Sequence, residues 1–376
     1  MQTPALSLAE IVDLVHGWYP PETADDWDAV GLAAGDPAAA CRRVLLAVDP
    51  VLPVAKEAAG WDADLLLTHH PLFLRGVHGV AETTPKGRTL ATLTRAGCGL
   101  LTAHTNADHG HPGVSDALAE ALGLRDVAPI AASGTPLDKI VVFTPVSDAE
   151  VVREALHRAG AGVVGDYDTV SYAVTGEGRF RPREGAHPAV GTVGEHEVTE
   201  EVRLEVVAPR AIRSRVVKAM LAAHSYEEVA FDVIELADSA TAATGAGRVG
   251  DVGETTLGAF AGQVARRLPP TARGVLVGGD PERVVRRVAV CGGAGDFLLD
   301  VALRCEADVY VTSDLRHHVA GEFLEKGGPA LLDVSHWAAE WTWLEPLAAR
   351  LREHLGDTVE VRVSTLCTDV WQARES

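Results

Sequence analysis

The sequence predicts an α/β fold, in which a duplicated, discontinuous α/β domain is interrupted by a ferredoxin-like β-α-β-β-α-β domain. Three observations support this prediction. Short apolar runs alternate with helical segments, one such pattern recurs near the end of the chain, and the segment between the two copies has a different strand pattern. A chain of 376 residues is longer than those that usually fold around a single hydrophobic core, so more than one domain is expected.

The first apolar runs occur early in the chain. Residues 42–50 (RRVLLAVDP) read as a buried strand, 51–60 as a helix and 63–69 (ADLLLTH) as a second buried strand. Near-continuous apolar strands alternating with helices are typical of a parallel sheet that is covered on both faces.

The same pattern returns near the end of the chain. Residues 286–314 align with residues 42–70 without a gap, at a constant offset of 244 positions. Each copy runs strand, turn, helix and strand, and the second strand ends in Thr68 or Thr312. The shared Arg-Arg-Val starts and Ala-Asp pairs predict a duplicated unit.

The segment between the copies has two helical and four strand-like stretches. The first helix should begin with a capping box at Ser147 and Glu150. The stretches are strand 138–146, helix 147–160, strands 168–178 and 200–209, helix 211–224 and strand 229–236. This order is that of a ferredoxin-like split βαβ unit. We therefore predict an outer domain of residues 1–130 plus 248–376 and an inserted domain of residues 131–247.

Composition restricts the class of protein. The chain is 47% hydrophobic and 23% charged, which is ordinary for a globular protein. A formal charge of −20 weighs against a broad nucleic-acid surface, because phosphate binding needs a basic face. No apolar stretch reaches the roughly 18 residues of a membrane span. Five scattered cysteines without a CxxC pair suit a reducing compartment, so we expect a cytoplasmic protein.

Two adjacent histidines, His69 and His70, follow the second apolar strand in LLLTHHPLF (65–73). Sites of open α/β sheets lie at the carboxyl ends of strands. Neighbouring side chains of a strand point in opposite directions, so the pair favours two metal ions, each bound by one imidazole. The alternative interpretation is a solvated loop.

Metal-compatible groups also follow two later strands. The run at 98–108 ends in His104, Asn106 and Asp108, and a carboxylate beside imidazoles suits an N/O metal site, whereas an Asx turn is the alternative. The matching run in the second copy is followed by His336 and Glu340. In a helix over 336–351, this spacing places both on one face, although a surface pair would look the same.

These positions supply three imidazoles and two carboxylates, which are too many ligands for one catalytic zinc with an open position. They suit two divalent ions roughly 3.5–4 Å apart, bridged by a carboxylate. Glu340 is the bridging candidate because of its longer side chain. The predicted ligands are His69, His70, Asp108, His336 and Glu340. Such a mixed set accepts Zn, Fe, Mn, Co or Ni. Asp314, His317 and His318 either orient ligands or form a solvated loop.

Four segments of this site resemble the NIF-three-like proteins, also known as GTP cyclohydrolase I type 2 homologues: THHP, HTNAD, TSDLRHH and SHWAAE. The inserted segments GEGRFRP and AAHSYEEVAFDV are similar to the longer bacterial members, which carry a PII/CutA-like domain. Ser225 stands where that family is expected to have proline. The resemblance implies a two-metal centre with the same five ligands. It also implies a toroidal homohexamer, a trimer of dimers.

Two functions follow from these observations. The first is a dinuclear metal-dependent hydrolase, in which a metal-activated water opens the purine ring of GTP or another nucleotide. His104 and His318 would then be the acid–base candidates, although His104 could instead only support the loop of Asp108. The second is a non-enzymatic metal-binding regulatory or scaffold protein, whose PII-like insert senses a partner or ligand.

Overall fold

The computed structural model describes residues 6–132, 136–165, 167–237 and 243–375. The chain forms two compact units, here called unit 1 (residues 1–133 and 241–376) and unit 2 (residues 134–240). The fold is mixed α/β, as the sequence predicts.

The first part of unit 1 carries seven strands and five helices among its described residues. They are β1 (Leu6–Ser7), α1 (Leu8–Trp18), β2 (Gly31–Ala34), β3 (Ala40–Cys41), β4 (Arg43–Ala47), α2 (Leu52–Gly60), β5 (Leu65–Thr68), α3 (Pro85–Arg95), β6 (Gly99–Thr102), α4 (Thr105–His109), α5 (Val114–Leu122) and β7 (Arg125–Ala132).

Unit 2 has the predicted element order. Its elements are β8 (Leu137–Pro145), α6 (Ala149–Arg158), β9 (Tyr172–Phe180), β10 (Glu197–Pro209), α7 (Arg213–Ala223) and β11 (Phe231–Glu235). The strands form one antiparallel sheet in the order β11-β8-β10-β9. The two helices cover one face of it, around a core that includes Val142, Leu204 and Met220.

The capping box predicted for the first helix of unit 2 is wrong. α6 begins at Ala149, its N-cap residue is Asp148, and no side chain caps it. The Ser147 hydroxyl donates instead to the Asp148 carboxylate at 2.8 Å, and Glu150 pairs with Arg153. The Ser147 hydroxyl is therefore hydrogen-bonded to the N-cap residue itself, and it accepts no hydrogen bond from a backbone N–H of the first turn of α6.

The second part of unit 1 repeats the alternation of strands and helices. Its elements are β12 (Gly245–Thr256), α8 (Leu257–Arg267), β13 (Val275–Gly278), β14 (Val284–Ala294), α9 (Leu299–Arg304), β15 (Val309–Ser313), α10 (His317–Glu325), β16 (Ala330–Val334), α11 (His336–Trp341), α12 (Leu344–Leu355) and β17 (Glu360–Val363).

Unit 1 contains a five-stranded sheet, β17-β4-β5-β6-β2, and a six-stranded sheet, β13-β16-β15-β14-β12-β7. Strands β4, β5 and β6 are parallel, as are β14, β15 and β16. Leu65 and Leu67 enter a core shared with α1, α5, α8, α11 and α12, whereas Leu66 packs with residues of α2 and α3 on the opposite face. Burial of both faces explains the near-continuous apolar runs.

The sequence repeat is reproduced in the hydrogen bonds. The Asp64 carboxylate accepts from the backbone N–H groups of the two arginines that begin the first copy, at 2.7 and 2.9 Å. Asp308 does the same for the second pair of arginines, at 2.7 and 2.8 Å. Asp62 and Glu306, also 244 positions apart, both have a positive φ, 52° and 55°. Each copy therefore builds its paired strands in the same way.

The single helix predicted over 336–351 is two helices. α11 ends at Trp341 and α12 begins at Leu344. Pro346 has no N–H to donate to a carbonyl in the preceding turn, but proline is tolerated in the first turn of a new helix. The break leaves Trp343 buried, where its indole N–H donates to Tyr19 Oη at 3.3 Å.

Two expectations from composition concern membrane-spanning segments and the cysteines. In the described ranges, no helix has the length and apolar character needed to cross a membrane. The cysteines are all free, and Cys41, Cys98 and Cys291 are buried.

Candidate metal centre

The predicted ligands meet at the carboxyl ends of the parallel strands of unit 1. His69 and His70 directly follow β5, and His104 follows β6. His336 begins α11 after β16 of the second copy. The Nε2 atoms of His70 and His336 are 3.2 Å apart, so the two copies of the duplicated unit meet at this point.

Four imidazoles of the cluster are held in the same way: Nδ1 donates to a fixed oxygen atom. The pairs are His69 with Ala103 O at 3.0 Å, His70 with Asp49 Oδ1 at 2.7 Å, His104 with Asp28 Oδ1 at 2.8 Å and His336 with Asp314 Oδ2 at 2.7 Å. These bonds fix the ring orientations and leave Nε2 for another partner. Metal-binding histidines in proteins are usually oriented by such a bond.

Glu340 lies at the centre of the cluster and is 2% exposed. Its Oε1 is 2.7 Å from His336 Nε2 and 3.4 Å from His69 Nε2, and its Oε2 is 3.1 Å from His70 Nε2. The helix α11 places His336 and Glu340 one turn apart, as predicted. Its N-cap is the Ser335 hydroxyl, which accepts from the Ala338 N–H at 3.2 Å.

Three buried atoms of the cluster have no hydrogen-bond partner among the described residues: His69 Nε2, Asp108 Oδ1 and Glu340 Oε2. His69 Nε2 and Asp108 Oδ1 are 3.7 Å apart. Each unsatisfied buried polar atom costs about 1–3 kcal/mol. A divalent cation would satisfy all three, and imidazole nitrogens with carboxylate oxygens are the donors of first-row transition metals. The residues present therefore fit a metal.

The charges of the cluster support this interpretation. Burial raises the pKa of Asp108 to about 7. Burial opposes protonation of His70 and His336, but the Glu340 carboxylate acts together with Asp49 on His70 and with Asp314 on His336. These carboxylates raise the two pKa values to about 10 and about 11. The same histidines hold the pKa of the buried Glu340 well below its usual range. Without metal the cluster thus holds protons that a cation would displace.

The ligand atoms form two overlapping groups within the described residues. His69, His70 and His104 make one, and His70, His336 and Glu340 make the other, with all ligand atoms of a group within 4.8 Å of one another. His104, predicted as an acid–base residue, therefore also lies where it can coordinate a metal.

The other acid–base candidate, His318, is exposed on the first turn of α10, with its ring 5.2 Å from that of His317. No hydrogen bond or ion pair found among the described residues joins it to the cluster. Its catalytic role stays a prediction. Asp314, in contrast, accepts a hydrogen bond from His336 and so orients a candidate ligand, which was one of its two expected roles; the other was a solvated loop.

Sequence reasoning gave no role at the metal site to three residues that the structure places there: Asp28, Asp49 and Gly293. Asp49 follows β4 at the same sheet edge as the histidines, so the rule that located them could have found it. Gly293 is the counterpart of Asp49 in the second copy, 244 positions later. Asp28 precedes the antiparallel edge strand β2, and no pattern in the sequence marks it.

Gly293 gives a direct test of the space in the cluster. Its φ is +71°, and a Cβ there would lie 2.5 Å from Glu340 Oε1 and 3.3 Å from His336 Nε2. We expect Gly293→Ala to weaken binding of divalent metal more than tenfold, because the methyl group displaces two ligands; a tenfold loss corresponds to about 1.4 kcal/mol. Isothermal titration with Zn²⁺ measures this.

The matched control is Gly327→Ala. Gly327 has nearly the same φ, +72°, and a methyl group there would meet no described atom within 4 Å beyond its own chain neighbours. Both variants carry a similar backbone strain of about 1–3 kcal/mol, so only the effect on metal binding should differ. Equal metal affinity in the two variants would contradict the assigned site.

A cavity of about 260 Å³ opens beside the cluster. Its lining includes Asp49, His70, Asp314, His336 and the exposed Trp371. The volume is slightly below the roughly 300–1,000 Å³ of pockets that enclose a drug-sized ligand. It therefore suits one ring system rather than a whole nucleotide.

The chain is similar to proteins of one family over nearly its whole length. The family model of Duf34/NIF3 (NGG1p interacting factor 3) matches residues 6–370. A Mycobacterium tuberculosis protein named GTP cyclohydrolase 1 type 2 homolog is 47% identical over 373 residues, covering 98% of this chain and 97% of that protein. A Bacillus subtilis protein of the same name is 38% identical over 331 residues, covering 88% of each.

Solved structures agree with the sequence comparison. A Bacillus cereus protein described as related to NIF3 has a TM-score of 0.72 and 35% identity, covering 98% of this chain and 99% of that one. A Staphylococcus aureus protein has a TM-score of 0.78 and 26% identity, covering 99% and 100%. With the match of the family model, these similarities establish that the chain belongs to the Duf34/NIF3 family.

Proposed function

We propose that this protein is a divalent-metal-dependent hydrolase that binds two metal ions per chain and opens the purine ring of GTP or a related nucleotide. The observation that carries the proposal is the set of imidazoles whose Nδ1 atoms are all held by oxygen atoms, around the carboxylates of Glu340 and Asp108. Each of these carboxylates has one buried oxygen without a hydrogen-bond partner among the described residues. The relatives' name, GTP cyclohydrolase 1 type 2 homolog, supports the choice of substrate.

The ligands would be divided around Glu340. Its two oxygens approach different histidines, Oε1 towards His336 and His69 and Oε2 towards His70, and this supports Glu340 as the ligand that the two ions would share. Asp108 would complete the set on the side of His69. When bound, two such ions supply Lewis acidity and an activated water.

The chain's own residues would orient the substrate and move protons. His104 is fixed through Nδ1 by Asp28, and the pKa of Asp28 is held below its usual range by hydrogen bonds from His104 and Thr105, against the effect of burial. His104 Nε2 can therefore either coordinate an ion or hold the proton exchanged during hydrolysis. The cavity would take the purine ring and leave the triphosphate outside it.

The experiment measures metal content per chain by elemental mass spectrometry and incubates the same sample with GTP. Mass spectrometry of the nucleotide detects the addition of water on ring opening. We expect about two ions per chain and turnover that is lost with a chelator and restored by adding metal. The control is protein kept in chelator throughout.

Two other results are informative. Two bound ions without turnover of GTP would overturn the proposed substrate and favour the non-enzymatic metal-binding role. Absence of bound metal after reconstitution would overturn the metal centre itself. The homohexamer and the ligand-sensing role of unit 2 stay predictions, and light scattering after size-exclusion chromatography measures the first.

A further inference from the structure

The C-terminal segment 364–371, here called the strap, crosses the ends of both copies of the duplicated unit. It follows β17, which pairs in parallel with β4 of the first copy. Ser364 N–H donates to Leu46 O of β4 at 2.8 Å, and Ser364 O accepts from the indole N–H of Trp341 in α11 at 3.1 Å. One residue of the strap thus already joins the two copies.

The next contacts of the strap reach residues that hold the metal-ligand candidates. The Thr368 hydroxyl donates to Asp49 Oδ2, and the other oxygen of the same carboxylate holds His70. Asp369 is 7% exposed and accepts from the Ser335 hydroxyl, which caps α11. Of these two consecutive residues, Thr368 therefore binds the first copy and Asp369 binds the second copy.

The strap also limits the cavity beside the cluster. Thr368, Asp369 and Trp371 line it together with His70 and His336. Asp369 Oδ1 accepts from the Trp371 N–H at 2.8 Å, so the same side chain that reaches α11 shapes the edge of the cavity.

We propose that Thr368 and Asp369 are positioning residues, which set the spacing between His70 on one copy and His336 and Glu340 on the other. Neither residue belongs to the groups of described residues that could hold a metal. Each acts through one intermediate, the Asp49 carboxylate or the Ser335 cap. The inference rests on the metal centre of the proposed function but not on hydrolysis or on GTP.

The test titrates metal-free protein with Co²⁺ and follows both affinity and the visible absorption bands, which report coordination geometry. Thr368→Val removes the hydroxyl with little change of shape, and Thr368→Ser restores it. We expect about tenfold weaker Co²⁺ binding and altered bands for Thr368→Val and for Asp369→Asn, since loss of an orienting partner typically costs 10–100-fold in metal affinity. Thr368→Ser should behave like wild type.

Thr92→Val is the matched control. The Thr92 hydroxyl also donates a hydrogen bond, to Arg88 O at 2.8 Å, but Thr92 is half-buried on α3 and its partner holds none of the metal-ligand candidates. The positioning role would be overturned if Thr368→Val bound Co²⁺ with the affinity and absorption bands of the wild type. It would also be overturned if Thr92→Val lost as much Co²⁺ affinity as Thr368→Val. Wild-type protein that binds Co²⁺ but does not open GTP would overturn the hydrolase proposal alone.

Discussion

Glu340→Gln is expected to leave fewer than one tightly bound divalent ion per chain, against the two that we propose for the wild type. Glu340 approaches three histidine Nε2 atoms within 3.4 Å, and it is buried, so no solvent can replace its charge. Its neutral amide isostere keeps the volume but loses the anion and one acceptor. The loss of affinity should exceed the roughly 10–100-fold typical of removing a partner that only orients a ligand.

Elemental mass spectrometry after dialysis measures the bound ions, and turnover of GTP should fall with them. The control is Glu345→Gln, on the exposed first turn of α12, which should keep the wild-type metal content. Wild-type metal content in Glu340→Gln would show that this carboxylate is no ligand.

Arg248→Met is expected to destabilise unit 1 by about 3–5 kcal/mol, the cost of breaking a buried ion pair from one side. Arg248 is 1% exposed and binds both oxygens of Asp116, at 2.6 and 2.7 Å. It also donates to the carbonyls of Gly245, Gly247 and Gly110. Methionine fills a similar volume but removes the guanidinium partner of Asp116, which keeps only the Gly113 N–H and the exposed His111, and removes the donor to three carbonyls. Because a domain is stable by only about 5–15 kcal/mol in total, the effect should be large.

Urea unfolding followed by tryptophan fluorescence measures this loss selectively. All seven tryptophans lie in unit 1, so the fluorescence change reports the unfolding of unit 1 and not of unit 2. Arg267→Met is the control, because Arg267 is exposed and donates one hydrogen bond, to Ala121 O at 3.0 Å. If Arg248→Met lowers the free energy of unfolding no more than Arg267→Met does, the argument is refuted. Since Gly110 directly follows α4, which carries Asp108, metal affinity should fall as well.

The elements that could be predicted are those with a local signal. The apolar runs of β4, β5 and β15, and the order of strands and helices along unit 2, follow from side-chain periodicity and turn positions. Local chemistry was less reliable at helix ends. The hydroxyl of Ser147 had two nearby partners, and sequence alone did not show that Asp148 would take it rather than the first turn of α6. Pro346 marked a helix break that an apolar pattern hid.

The sequence by itself determined the α/β class, the repeat at an offset of 244 and the residue types able to bind metal, because periodicity and composition are local properties. Only the tertiary structure decided which of those residues meet. His70 and His336 are 266 positions apart in the chain but 3.2 Å apart in space, because the parallel strands β5 and β16, in different mixed sheets, end close to one another. It also decided that Asp28 and Asp49 orient candidate ligands, and that no hydrogen bond or ion pair found among the described residues joins His318 to them. Such contacts depend on long-range packing, which no local pattern encodes.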